Sequence, residues 1–371
     1  CLIGMDNRQC LDDFNQALQH VVDRHDSFRT AVLWAGLDEP VQVVLRQARL
    51  QVEEVALDPT VGDIRQQLEQ RFDNQHYRLD LSQAPLIRIA CAEDPATGRW
   101  LALMMLHNIV SDHAALAVVQ HEIQQYLLGQ AAQLGKPVPY RNYVAQARLG
   151  VSEQQHEAFF REMLGEVDTP TLPLGLVDVQ GDGHLLQEAA LTIPTTLSQR
   201  LRAQARQQGV STASLCHLAW GQVLAATSGR HSVVFGTVLV GRMQGGEGAD
   251  RALGVFINTL PLRLDIDAQG ARMAVRATHA RLTALLGHEH ASLALAQRCS
   301  GVAAPAPLFS SMLNYRHRGA ATRAAEAQQA WEGMQTLVND GRTNYPLTLN
   351  VDDLGDGYDV TALAQFDAQR V

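Results

Sequence analysis

The sequence predicts a mixed α/β fold in two halves, and three observations carry that prediction. The chain has 371 residues, more than a single hydrophobic core usually serves and comfortable for two domains. In both halves, short apolar runs of strand length alternate with longer stretches whose apolar residues recur at three and four. The stretch TPTLPLGLVDVQGDG, residues 169 to 183, is rich in Pro and Gly and reads as an extended crossing. The expected division is a first half over 1–150, a crossover over 151–185 and a second half over 186–371.

Residues 11 to 24 place Leu11, Phe14, Leu18, Val21 and Val22 on one helical face. RTAVLW (29 to 34) and VQVVL (41 to 45) follow as strands joined by AGLDEP, whose Gly and Pro mark a turn. The pattern then predicts a helix over 61–78, strands over 86–93 and 99–107, and a helix over 112–129. Beyond the crossing, helices are expected at 196–208, at 211–228 with Ser211 as cap, and at 271–287. Strands are expected at 233–241, 256–264, 308–315, 345–351 and 358–364. GRMQGGEGADRALG, starting at Gly241, lacks the strand, Gly-x-Gly-x-x-Gly, helix order of a dinucleotide site and reads as a flexible lid or turn.

Composition narrows the function. A hydrophobic fraction of 46% and a charged fraction of 19% are those of a globular chain. The net charge is −9 with no Lys/Arg-rich block, so nucleic acid and anionic membranes are poor partners. No apolar stretch is long enough to span a bilayer and no signal peptide is visible, so the expected localisation is cytoplasmic. Cys1, Cys10, Cys91, Cys216 and Cys299 are scattered without Cys-x-x-Cys spacing and read as small hydrophobes or free thiols. Cys1 at the start and an end at Val371 without a closing element suggest a segment of a longer polypeptide.

The most informative stretch is LALMMLHNIVSDHAAL, residues 101 to 116. An apolar run fit for a buried strand ends in His107 and Asn108, and Ser111 and Asp112 follow as caps for a helix with Leu116, Val119, Ile123 and Leu127 on its apolar face. The polar group therefore sits on a strand-to-helix turn, where rigid elements can hold chemical groups in place.

Other blocks accompany it in order: RHDSFRT (24 to 30), LHNIVSDHA (106 to 114), YRNYVAQAR (140 to 148), LGVFINTLPLR (253 to 263), HEHASLALAQ (288 to 297) and GRTNYPLTL (341 to 349). Together they make the chain resemble the condensation domain of nonribosomal peptide synthetases. The resemblance implies two chloramphenicol-acetyltransferase-like lobes in a V with a central tunnel, one lobe in each half of the chain. It implies amide formation between a donor peptidyl thioester and an acceptor aminoacyl amine. No cofactor is expected to stay bound: phosphopantetheine arms of donor and acceptor carrier domains would bring the substrates, with an adenylation domain adjacent in the same polypeptide. The family's opening block and closing helix have no counterpart, so both domain ends are expected to be missing. The hairpin block also resembles condensation domains that epimerise their donor.

The active-site motif of that family is His-His-x-x-x-Asp-Gly; here it reads HNIVSDH, residues 107 to 113. Asn108 stands where the family has its catalytic histidine. An asparagine amide donates and accepts hydrogen bonds but takes no proton near neutrality, so it can orient an amine without deprotonating it. By the resemblance, His107 points into the core as a structural histidine. Asp112 is a structural carboxylate, and Arg263 is its matching arginine across the domain. His113 replaces a glycine, and reads either as a helix-start residue or as the imidazole that Asn108 does not supply. Asn258 lines the tunnel, bonding pantetheine or substrate, or else ends a strand. Ser310 and Ser311 could face the channel, and His25 reads as structural with Arg24 and Arg29 as ionic neighbours.

No metal is expected. His288, Glu289 and His290 are adjacent and would not converge on one ion, and the His-Glu-x-x-His spacing is absent. Two other classes of function compete with amide formation. A catalytically silent domain that recruits a tailoring enzyme or acts as a spacer needs neither base nor open tunnel. A stand-alone acyltransferase acting on a free amine or alcohol would also want the missing histidine.

Overall fold

The computed structural model describes residues 1–73, 76–177, 186–242, 251–266, 270–317, 329–338 and 345–365. Along the first part of the chain run β1 (Leu2–Met5), α1 (Arg8–Arg24), β2 (Thr30–Leu33), β3 (Val41–Val44), β4 (Gln51–Glu54), α2 (Ile64–Arg71), β5 (Ile87–Asp94), β6 (Arg99–Leu106), α3 (His113–Leu127), α4 (Tyr140–Leu149) and α5 (Glu153–Leu164). Then come β7 (Leu186–Thr192), α6 (Thr195–Gln208), α7 (Thr212–Ser228), β8 (Ser232–Leu239), β9 (Asn258–Asp265), α8 (Ala271–Leu286), α9 (Leu293–Arg298), β10 (Ser311–His317), β11 (Met334–Val338), β12 (Leu347–Asp353) and β13 (Tyr358–Gln365).

These elements form two compact units that are not contiguous in sequence. The first holds Cys1–Gln146, Arg242–Phe256 and Arg323–Gly341; the second holds Ala147–Gly241, Ile257–Thr322 and Arg342–Val371. Two late segments thus return to the first unit, which contiguous halves do not anticipate. Within 151–185, read from sequence as crossover, lies α5, whose Phe160 and Leu164 are fully buried in the second core. Residues 178–185 of that stretch, and 243–250 of the Gly-rich loop, lie outside the described residues.

In the first unit the strands run in the order β11-β1-β6-β5-β4, with only the β4–β5 pair parallel. Alternation decides which side chains go where. Ile87, Ile89 and Cys91 join Leu11, Phe14, Leu18 and Val21 of α1 and Val119 and Ile123 of α3 in one core. Ala90, Ala92 and Leu101 join Ile64, Leu68 and Phe72 at α2 in another. Both α1 and α2 start on a side-chain cap: Asn7 accepts from the Cys10 amide and Asp63 from the Gln66 amide. β2 and β3 form a separate hairpin, pinned by Arg29, whose guanidinium donates to the carbonyls of Leu45 and Arg46.

The second unit has the order β7-β13-β12-β10-β8-β9, with β10 parallel to both of its neighbours. Its core gathers Val233, Val234 and Phe235 of β8, Leu260, Leu262 and Leu264 of β9, and Leu224, Leu285 and Leu295 from three helices. Among the described residues no helix is long and apolar enough to cross a membrane.

Candidate active site

The strand-to-helix turn at 107–112 is built from β6 upward. His107 extends the β5–β6 ladder by one step, its amide donating to the Leu86 carbonyl at 3.1 Å. Its Nδ1 accepts the Ile109 amide at 3.1 Å, so the neutral ring carries its proton on Nε2. Burial holds the His107 pKa below the ordinary imidazole value. His107 thus shapes the turn, and a second proton at Nδ1 would break the bond that does so. Asn108 and His113 are both exposed, Asn108 on the turn and His113 as the first residue of α3.

Asp112 closes the turn. Its Oδ1 accepts the Ala115 amide at 2.8 Å, capping α3, and its Oδ2 accepts the Phe256 amide at 2.9 Å. Arg242 completes the carboxylate's surroundings with an ion pair at 3.4 Å between nearly buried side chains. The guanidinium also donates to the Ala252 carbonyl at 2.9 Å and lies 3.9 Å from the centre of the Phe256 ring. The arginine on Asp112 is therefore Arg242, not the Arg263 expected from the motif. Arg263 sits on β9 and pairs with Asp265 at 3.1 Å and Glu166 at 3.5 Å.

The segment Ala252–Phe256 is gripped from its other side by the YRNY block. Tyr140 donates its hydroxyl to the Val255 carbonyl at 2.5 Å, and its ring meets Phe256 edge-on at 5.3 Å. Burial raises the Tyr140 pKa well above the ordinary phenol value, so the hydroxyl stays a donor. Gly254 makes this approach possible: its φ is +149°, and a Cβ there would fall 2.1 Å from the Tyr140 ring. The Tyr140 amide in turn donates to Asp26 Oδ1 at 3.0 Å. Three blocks far apart in sequence thus converge on Asp112.

His25 and Arg24 share Glu122 of α3: His25 Nε2 and Arg24 Nε each lie 3.0 Å from its Oε2. Burial alone would raise the Glu122 pKa, but these hydrogen bonds and charges outweigh it and hold it below the ordinary value. Arg29, expected as a neighbour of His25, instead ties the β2–β3 hairpin.

In the second unit, both Asn258 N–H groups are engaged, donating to the carbonyls of Glu289 at 2.9 Å and Ala291 at 2.6 Å. Asn258 therefore fixes the turn before α9. In that turn His288 stacks on Phe159 at 4.0 Å and places its Nδ1 2.9 Å from that of His156. Glu289 is fully buried, 3.9 Å from His290. Ser310 and Ser311 are fully buried at the start of β10. Burial pushes the Cys91 and Cys216 thiols up to about 11, so neither offers a thiolate near neutrality. Of GRTNYPLTL, residues 341–344 lie outside the described residues, while Tyr345 stacks on Phe309.

The chain matches the family model described as "Condensation domain" over residues 2–368. It is 51% identical over 359 residues to malpinin synthetase of Mortierella alpina, covering 97% of this chain and 5% of that protein. It is 50% identical over 355 residues to malpibaldin synthetase of the same organism, covering 96% of this chain and 6% of that one. It spans only a small part of the length of either. Among solved structures, the condensation domain from the monacolin K polyketide synthase MokA superposes with a TM-score of 0.71 at 20% identity, covering 100% of this chain and 88% of that one. The first condensation domain of the CDA synthetase gives 0.69 at 17% identity, covering 100% and 86%. The fold is thus that of condensation domains, and the family match takes in the turn, its carboxylate knot and nearly every residue around them: this chain belongs to the condensation domain family.

Proposed function

We propose that this chain forms an amide bond between a donor acyl or peptidyl thioester and an acceptor aminoacyl amine, both on phosphopantetheine arms of carrier domains. An adenylation domain of the same polypeptide would load the acceptor, in the cytoplasm. The observation that carries this reading is the carboxylate knot: Asp112, with the Ala115 and Phe256 amides and Arg242, holds the 107–112 turn in a fixed shape. A turn with no chemical task has little need of a buried charge held by that many partners.

The amine nitrogen attacks the thioester carbonyl, an oxyanion forms, the C–S bond breaks and the thiol leaves; the amine loses one proton overall. Asn108 cannot take that proton but can accept a hydrogen bond from the amine and aim its lone pair. The proton instead passes through solvent to the departing sulfur, which leaves as the thiol, and the domain works by positioning. Losing a general base costs about 10²–10⁴-fold in rate, which sets the expected gap between this chain and one with an imidazole at position 108.

Reconstitution with two loaded carrier domains tests this, comparing the natural chain, Asn108→His and His113→Gln. The natural chain should form product, His113→Gln should stay within a few-fold of it, and Asn108→His should be faster. Loss of product in His113→Gln would move proton handling to His113. No product from either the natural chain or Asn108→His would favour a silent domain that recruits a tailoring enzyme or acts as a spacer.

A further inference from the structure

Three neighbouring helices of the second unit, α6, α7 and α8, contain no aspartate or glutamate across 14, 17 and 16 residues, in a chain that has 39. α7 packs against both of the others and has no charged residue at all. α6 carries Arg200, Arg202 and Arg206; α8 carries Arg272, Arg276 and Arg281. A solvated helix normally mixes both signs. Here one sign is missing from a whole layer while the chain as a whole is at −9.

Among the described residues, two of the six arginines are committed to carboxylates: Arg202 meets Asp353 at 2.5 Å and Arg281 meets Asp265 at 2.7 Å. Arg200, Arg206, Arg272 and Arg276 are exposed and have no carboxylate partner among the described residues. Between the arginine-bearing helices α7 exposes Ala219, Gln222, Val223 and Ala226, spaced as one helical face. Val223 is 47% exposed and Met273 of α8 60%. Beside this stripe, a cavity of about 130 Å³ opens between α7, α8 and the end of β9, walled by Leu218, Leu264, Ala274, Ala277 and Thr278. Asp265, which also lines it, is neutralised by Arg281 and Arg263.

We propose that this layer is a docking face for an acidic amphipathic helix of another protein domain. Carboxylates of that helix would meet the four outer arginines, and one apolar side chain would settle over the cavity. An apolar centre inside a charged rim is the anatomy of a specific protein interface, and the rim charge steers approach. A nucleic-acid backbone would meet the arginines but leave the apolar stripe against phosphates. The proposal does not depend on amide formation, since it uses only the surface of the second unit.

Calorimetric titration of the chain with three synthetic helical peptides tests it: one with glutamates flanking a leucine stripe, its lysine-for-glutamate counterpart, and its alanine-for-leucine counterpart. The glutamate–leucine peptide should bind saturably, with affinity falling as salt rises; the lysine peptide should not bind. The alanine peptide should bind several-fold more weakly. The variant Arg200→Glu/Arg206→Glu/Arg272→Glu/Arg276→Glu should bind the acidic peptide at least about tenfold more weakly with an unchanged Tm. No saturable binding, equal binding by that variant, or tighter binding of a short DNA duplex through the same arginines would overturn the proposal.

Discussion

Asp112 shows how much one buried carboxylate can hold. It caps α3, binds the Phe256 amide and neutralises Arg242. Removing it leaves a nearly buried guanidinium and two buried amides without their acceptor, so Asp112→Ala should cost about 3–5 kcal/mol. Adding Arg242→Met should recover part of that loss by removing the stranded charge. Denaturant midpoints of the two variants check this; equal losses would mean that the charge is not what matters. The cap itself was legible from sequence, because a Ser-Asp pair before a helical stripe has few other uses. The partner was not: Arg263 fits the motif by spacing, whereas pairing depends on where the chain after β8 is led.

At the scale of elements, α7 and β8 are joined by a buried imidazole. His217 Nδ1 lies 2.7 Å from the Ala213 carbonyl, which can only accept, so Nδ1 carries the proton and Nε2 accepts from Thr237 at 2.7 Å. Full burial lowers its pKa from 6.5 to about 4. Below pH 6.5 the unfolded chain takes up this proton before the folded one does, so stability is lost as pH falls from about 6.5 toward 4. The loss amounts to roughly 3 kcal/mol. Urea unfolding across that window should show the slope, and His217→Gln should flatten it; an unchanged slope would assign it to other groups. Most long elements were readable: the apolar stripes of α1, α3 and α8 and the runs of β5, β6 and β8 announce themselves. α4 buries no residue, so it has no buried stripe to read. α5 had a signal that went unused, the Ser152/Gln155 capping box.

For the whole molecule, the consequence of interleaved units is that the first unit is incomplete without residues far along the chain. Arg242, the Ala252–Phe256 segment and β11 all belong to it, and β11 pairs antiparallel with β1 from Leu2 to Met5. A fragment of residues 1–150 lacks the arginine on Asp112, the acceptor of the Tyr140 hydroxyl and the strand beside β1. Such a fragment should show no cooperative unfolding transition and should be rapidly cleaved by protease, whereas the full chain should resist. A cooperative transition in the fragment would show that β1–β6 and their helices suffice.

The sequence by itself determined the α/β class, most strands and helices, the family blocks and the place of the 107–113 turn. These are local properties: hydrophobic period, caps and turn residues act within a few positions of one another. Only the tertiary structure decided that Arg242 holds Asp112, that Tyr140 grips Val255 across Gly254, and that Asn258 spends both its donors on the turn at 289–291. These contacts join residues 31 to 130 positions apart. At such separations the choice of partner depends on the path of the folded chain, on which charges are buried together and on which backbone amides lack any other acceptor.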